Sequence, residues 1–212
     1  MNASIRRFTH HPTVRALWEA FSVAAPVSFW LWLAYRQIVD QLHTLNPVPL
    51  LVAAESLLAG YLLLKRKPDT ANAHPWYARA AIVFAAFLGP LFIEQKMPTN
   101  LIGFWLVTTV SAVGLLLAVW ALASLGTSFG IAPADRGLVQ RGPYRFIRHP
   151  MYVGAFLNVV AVVLANPTAW NALILSLIIL ADAYRIFLEE RTVSGYEQYA
   201  RAVPWRLIPG VF

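Results

Sequence analysis

The chain has 212 residues, 58% of them hydrophobic and 13% charged, with a net charge of +7 and no cysteine. Soluble domains carry about 25% charged residues, so the composition excludes an ordinary soluble domain and points to a membrane protein. The missing cysteine excludes disulfides, thiol catalysis and thiolate metal sites, and no metal site is expected.

Taken in order, the start "MNASIRRFTHHP" lacks an apolar core followed by a small-residue cleavage site, so no removable signal peptide is expected. Six nearly uncharged stretches follow: Ala16–Tyr35 with Glu19, Pro47–Leu64 with Glu55, Trp76–Ile93 with Arg79, Leu101–Leu125, Met151–Ala165, and Thr168–Leu188 with Asp182 and Arg185. A spanning helix needs roughly 20 mostly apolar residues. The expected fold is therefore all-α, a polytopic membrane bundle of about six transmembrane helices closed by a C-terminal helical hairpin and an amphipathic cytoplasmic tail over Arg191–Phe212. The fifth stretch is short, its 15 uncharged residues reaching only about 22 Å. Asn166-Pro167 can turn the chain straight back, so stretches five and six form a tight hairpin whose ends, "RHPMY" and "LEERT", lie together.

The cations orient this bundle. Arg6, Arg7 and Arg15 precede the first stretch; Lys65, Arg66, Lys67 and Arg79 follow the second; Arg136, Arg141, Arg145 and Arg148 lie between the fourth and fifth; Arg185, Arg191, Arg201 and Arg206 close the chain. Only Arg36 and Lys96, of 17 cations, fall opposite. Lys and Arg in short loops stay cytoplasmic, so both termini are expected in the cytoplasm, and a bacterial inner membrane is the expected setting. The same asymmetry accounts for the basic charge without a nucleic-acid partner. The one long loop, Gly126–Pro150, holds four glycines and three prolines, and long loops of this kind are where binding groups gather.

Several residues could carry chemistry. Pro150 suits the first turn of a helix, which makes His149 a cap by the simplest reading; by another, Arg148, His149 and the helix terminus together suit a carboxylate ligand. Asp182, Arg185 and Glu189 share one helix face, either as a self-satisfied ladder or as a functional stripe, since intramembrane ionisable groups are costly. Glu19 and Glu55 have no sequence-local partner. Asn158 and Ser176 suit hydrogen bonds between helices. No G-x-G spacing and no H-E-x-x-H occur, which removes a dinucleotide fingerprint and a zinc protease.

"GPYRFIRHPMYVG" followed by "EERTVSGYEQYARAVPWRLIPGVF" resembles the isoprenylcysteine carboxyl methyltransferase and phospholipid methyltransferase superfamily, integral membrane enzymes whose signature is R-H-P-x-Y-x-G, then a Glu-Glu pair, then a Tyr-rich helix ending near a proline. The matching residues are Arg148, His149, Pro150, Tyr152 and Gly154, then Glu189 and Glu190, then Tyr196, Tyr199 and Pro204. The resemblance covers roughly Leu122–Phe212, so the chain divides into N-terminal spans over 1–121, expected on the substrate side, and a cofactor-binding unit over 122–212.

The resemblance implies S-adenosylmethionine held by the R-H-P-x-Y turn and the Glu-Glu end of the hairpin. Tyr144, Arg145, Arg148, His149, Pro150, Tyr152, Glu189, Glu190, Tyr196 and Tyr199 are the implied cofactor residues. Arginines suit the cofactor's carboxylate and carboxylates its ammonium and diol, while tyrosine faces suit its sulfonium. Glu189 is the candidate base for an amine acceptor, and Arg185 the candidate for positioning an anionic one. The implied partners are the bilayer and a membrane lipid or small hydrophobic acceptor bearing a carboxylate, amine or thiol. Two alternatives stay open: a membrane NADPH-dependent reductase of the sterol type, whose pyrophosphate the loop arginines would also suit, and a transporter or scaffold using Glu55 and Asp182 as a proton path.

The cation asymmetry generates the first test. Because the chain has no cysteine, single cysteines at Asn46, Asn100 and Asn166 should react with an impermeant thiol reagent added outside intact cells, and one at Gln140 should not. External labelling at 140 would overturn the orientation.

Overall fold

The computed structural model describes residues 12–41, 48–67, 98, 100–131 and 133–211. Among them every regular element is helical: α1 (Pro12–Gln41), α2 (Val48–Leu64), α3 (Leu101–Leu125), α4 (Pro150–Ala165), α5 (Ala169–Thr192) and the short α6 (Tyr196–Ala202), with 3-10 turns at Gly126–Ser128 and Gly142–Arg145. The expected span Trp76–Ile93 lies outside the described residues, as does the side chain of Glu19. Division of the chain after residue 121 would cut α3 within its last two turns.

Two of these helices, the one running from Leu101 and α5, are long and apolar enough to cross a membrane; α2 and α4 are apolar but shorter, at 17 and 16 residues. At 1.5 Å per residue, the 24 residues of α5 reach about 36 Å, beyond a hydrocarbon core of about 30 Å. The outward faces are apolar: Leu101, Ile102, Trp105, Leu116 and Trp120 on α3, and Leu173, Leu177, Leu180 and Phe187 on α5, stand exposed. Apolar surface on this scale suits lipid rather than water.

Helix boundaries follow local chemistry. Asn100 caps α3 by accepting from the Gly103 N–H at 2.6 Å, and Thr168 caps α5 by accepting from Asn171 N–H at 3.1 Å. Pro150 opens α4, where its missing N–H costs nothing. The α4–α5 turn spans only 166–168, and the fully buried Asn171 side chain locks it by donating to the Asn166 carbonyl at 2.9 Å. The hairpin is thus formed as expected.

Past Thr192 the chain is broken into short pieces: Gly195 takes a left-handed φ of 77°, which separates α5 from α6, and after Ala202 the chain leaves the helix ahead of Pro204. One expectation needs correction. Ser176 does not bond between helices; its hydroxyl donates to the Ala172 carbonyl of its own helix at 2.8 Å. That is the usual recourse of a serine inside a helix with no polar neighbour.

The most intimate packing joins α3 to α4, with α1 against α2 and α2 against α3. Gly114 and Gly154 make the first contact possible. A Cβ on Gly154 would lie 2.5 Å from the Gly114 carbonyl oxygen and 2.7 Å from the Ala118 nitrogen, while one on Gly114 would lie 2.7 Å from the Gly154 carbonyl oxygen. All three neighbours are backbone and cannot swing away. Small residues of this kind let membrane helices approach closely, which gives the glycine of R-H-P-x-Y-x-G a structural reason. Gly154→Ala should destabilise the protein by about 1 to 3 kcal/mol through overpacking, visible as a lowered unfolding temperature in detergent. An unchanged temperature would mean that the helices do not meet there.

Candidate active site

The site is assembled where α4 begins, α5 ends and the long loop crosses between them. Arg148 and His149 precede α4 and are held from behind by the tail: the Arg148 N–H donates to the Trp205 carbonyl at 2.9 Å and the His149 N–H to the Arg206 carbonyl at 3.0 Å. These donors are therefore not free for a ligand. His149 sits at the cap position without making a side-chain capping bond, so capping is not the role of its imidazole.

Its partner is Glu190. One Glu190 oxygen, Oε1, lies 3.2 Å from His149 Nε2 and accepts from Tyr196 OH at 2.9 Å, Arg148 at 3.3 Å and Arg206 Nε at 3.0 Å; Oε2 accepts from Arg206 at 3.1 Å. Arg148 also donates to the Pro204 carbonyl at 3.0 Å. Glu190 thus ties the head of α4, the end of α5, α6 and the tail into one knot.

Glu189 faces elsewhere. It accepts from Tyr152 OH at 2.6 Å and stands 3.8 Å from Arg185, which lies 3.7 Å from Asp182. The ladder anticipated on this helix face is present, though both ion pairs are long. The Arg185 guanidinium also lies over the Tyr152 ring, 5.0 Å from its centroid, and its Nε is buried without a hydrogen-bond partner.

Two hollows adjoin these residues. The first, about 110 Å³, is lined by Ser128, Phe129, Gly130, Pro133, Ala134 and Arg136 to Val139 of the loop together with Tyr144, Arg148, His149, Tyr152, Glu189, Tyr196 and Tyr199. Arg136 and Arg148 bring positive charge to it and Glu189 negative charge, and Arg148 Nε is buried with no partner. The second, about 200 Å³, lies within the bundle and is mostly apolar; Glu55, Asn158, Asp182 and Arg185 are its polar members. Phe129, Met151 and Tyr152 line both.

Seven of the ten expected cofactor residues therefore line the first hollow. Pro150 lies behind it as the first residue of α4, Arg145 is exposed outside it, and the Glu190 carboxylate is engaged by the knot. Of the two catalytic candidates, Glu189 lines the first hollow and Arg185 the second. Sequence reasoning missed Arg136, which sits against Gly130 so closely that a Cβ there would lie 2.5 Å from its guanidinium. It also missed Asp135, although aspartate two residues before glycine is a turn signal: Asp135 accepts from the Gly137 N–H at 3.2 Å, and from Ser194 by its N–H at 3.1 Å and its hydroxyl at 2.5 Å. Asp135 thereby clasps the loop to the segment joining α5 and α6.

The tyrosines of this site are fixed donors. Burial raises the pKa of Tyr196 and Tyr144 and pushes Tyr199 up to about 12. Tyr199 OH accordingly donates to the Tyr144 carbonyl at 2.7 Å.

Apolar helices with a charged hollow at the loop end of the bundle define an integral membrane protein with a polar site at one end. Residues 99–199 match the profile of the phospholipid methyltransferase family, and this stretch is thereby similar to the methyltransferase superfamily that its motifs resemble. The match takes in α3, the loop, α4, α5 and the start of α6; α1, α2 and the tail lie outside it. No curated protein matches the chain.

The clasp has a pH signature. The hydrogen bond from Ser194, more than any other contact, holds the Asp135 carboxyl below its ordinary value. A depressed folded-state pKa contributes stability above the unfolded value, about 3.9 for Asp, and that contribution is lost as pH falls through the lower folded value. Asp135→Asn should therefore be less stable than wild type by roughly 1 kcal/mol at neutral pH, with the gap closing below about pH 4. Thermal melts of both proteins across that range measure it, and a gap independent of pH would remove the charge from the clasp.

Proposed function

We propose that the chain is an S-adenosylmethionine-dependent methyltransferase whose cofactor occupies the loop-side hollow and whose lipid-like acceptor occupies the chamber within the bundle. The observation that carries this reading is the shared wall. A polar hollow and an apolar chamber meet at Phe129, Met151 and Tyr152, as joining a water-soluble donor to a membrane-borne acceptor requires.

When bound, the cofactor supplies a methyl group activated by its sulfonium. The residues present fit its other groups: the unpartnered Arg148 Nε and Arg136 suit a carboxylate, Glu189 suits an ammonium or diol, and Tyr144, Tyr196 and Tyr199 offer ring faces and edges. His149 forms part of this wall, and Glu190 supports it from behind. The hollow is smaller than the roughly 300 Å³ at which ligand pockets begin, and the Asp135 clasp to Ser194 fastens the loop beside it.

Methyl transfer is an in-line displacement, in which alignment and exclusion of water supply most of the rate. Tyr152 is placed to do both, since its ring forms part of the shared wall, its hydroxyl is fixed on Glu189 and its face lies under Arg185. Glu189 can take a proton from an acceptor crossing that wall, and Arg185 can orient the acceptor from the chamber side. We place the loop side of the bundle in the cytoplasm, on the cation asymmetry.

Purified protein should be stabilised by S-adenosylhomocysteine, by about 2.7 kcal/mol at a hundred times Kd, and not by NADPH. Glu189→Gln should weaken S-adenosylhomocysteine binding about ten- to hundredfold through the loss of a charged hydrogen-bond partner, while Arg145→Ala should leave it unchanged. Calorimetric titration of the folded variants measures both. Stabilisation by NADPH instead would transfer the chain to the reductase reading.

A further inference from the structure

The chamber within the bundle is not a featureless apolar slot. Leu33, Val52, Ala59, Leu115, Leu122 and Ile131 give it apolar walls, and into this setting the structure places polar groups that find no partner. Glu55, from the middle of α2, has no hydrogen bond or ion pair among the described residues, and neither does the side-chain amide of Asn158 on α4. Trp30 Nε1 and Arg185 Nε, both donors, are buried without partners; Arg185 as a whole is 8% exposed.

Unmatched polar groups at membrane depth are costly, and several lining one hollow mark a ligand site. Depth places them together as well. On α2, Glu55 lies nine residues from the last residue, Leu64, and on α5 Asp182 lies ten from the last, Thr192, so each is about 14 to 15 Å from the loop-side end of its helix. That side is common to both, because the Lys67 N–H donates to the Thr127 carbonyl at the foot of α3 and Ser194 joins the loop through Asp135.

The charges lining the chamber decide what the occupant can be. Asp182 and Arg185 offset one another, which leaves the Glu55 carboxylate uncompensated among the described residues. A phosphate or carboxylate brought into this chamber would meet a like charge in a medium of low dielectric, where such juxtapositions cost most. A head that donates hydrogen bonds would satisfy Glu55, and one that also accepts would satisfy Trp30 or Arg185 as well.

We propose that Glu55 and Trp30, on helices outside the family-matched segment, recognise a lipophilic acceptor whose polar head donates hydrogen bonds and carries no negative charge: an amine or an alcohol, and not a phospholipid or a carboxylic acid. The term acceptor rests on the methyltransferase reading; the binding preference does not. Glu55 is then a specificity-determining residue, and the two N-terminal helices select the substrate that the family-matched part of the chain methylates.

The test is binding of decylamine, decanol and decanoate to the full chain in nanodiscs, without cofactor. Decylamine and decanol should bind and decanoate should not. Glu55→Gln, which keeps the shape and removes the charge, should weaken decylamine about tenfold or more, erase its advantage over decanoate and leave S-adenosylhomocysteine affinity unaltered. Trp30→Phe should weaken decanol more than decylamine, because only the alcohol can accept from the indole N–H, and this arm separates the two kinds of head. Decanoate binding as tightly as decylamine, or a preference unaltered in Glu55→Gln, would overturn the proposal. Failure of S-adenosylhomocysteine to bind wild type would instead remove the methyltransferase reading while these affinities still report on the chamber.

Discussion

Everything at the loop end of the bundle depends on the carboxylate of Glu190. Its two oxygens engage Arg148, His149, Tyr196 and Arg206, drawn from the head of α4, from α6 and from the tail. A half-buried carboxylate so surrounded is satisfied, but removal of any cationic partner leaves charge behind in a place poorly reached by water, which is costly. The knot brings order at a distance. With Arg148 and His149 fixed by it and by the tail carbonyls, α4 starts at a defined angle, and Tyr152, one turn further on, reaches Glu189 rather than lipid.

Gly154 sets the other constraint, on the approach of helices rather than charges. Because α4 lies backbone to backbone against α3 at Gly114, the loop between them is tethered at both ends to a rigid pair and must close on itself. It does so through short devices: Gly142 at a φ of 59° turns the chain where a side chain would collide with Ser124, and Arg141 donates from Nε to the Ser124 carbonyl at 2.8 Å. Asp135 then clasps the loop to Ser194. The hollow is the space left between a loop fastened in this way and the tyrosines of α6.

Much of this was legible in the sequence wherever a residue's meaning is local. Pro150 announced the start of α4, Asn166-Pro167 the hairpin, and the spacing of Asp182, Arg185 and Glu189 their common face. What stayed hidden were partners chosen by tertiary structure. Glu190 and Arg148 are 42 residues apart and Asp135 and Ser194 are 59, and no periodicity encodes such pairs. The sequence likewise set Glu55 apart as a lone carboxylate in an apolar run, which reveals its cost, while only the packing of α2 against its neighbours reveals that it lines a chamber. Arg145 shows the converse. It sits within the densest cluster of motif residues, yet the 3-10 turn points it outward.

The adjacent glutamates illustrate how one helix end can serve two purposes. Successive residues on an α-helix are about 100° apart around its axis, so Glu189 and Glu190 cannot face the same surface. One is committed to the tail and the other to Tyr152 and the hollow. Their functions are nonetheless linked, because Arg148 and His149 touch Glu190 while lining the hollow that Glu189 enters. Displacement of the tail would loosen Arg206 from Glu190, alter the positions of Arg148 and His149, and so change the wall opposite Glu189. The C-terminal residues therefore belong to the site as a support, although none of those after Tyr199 lines it.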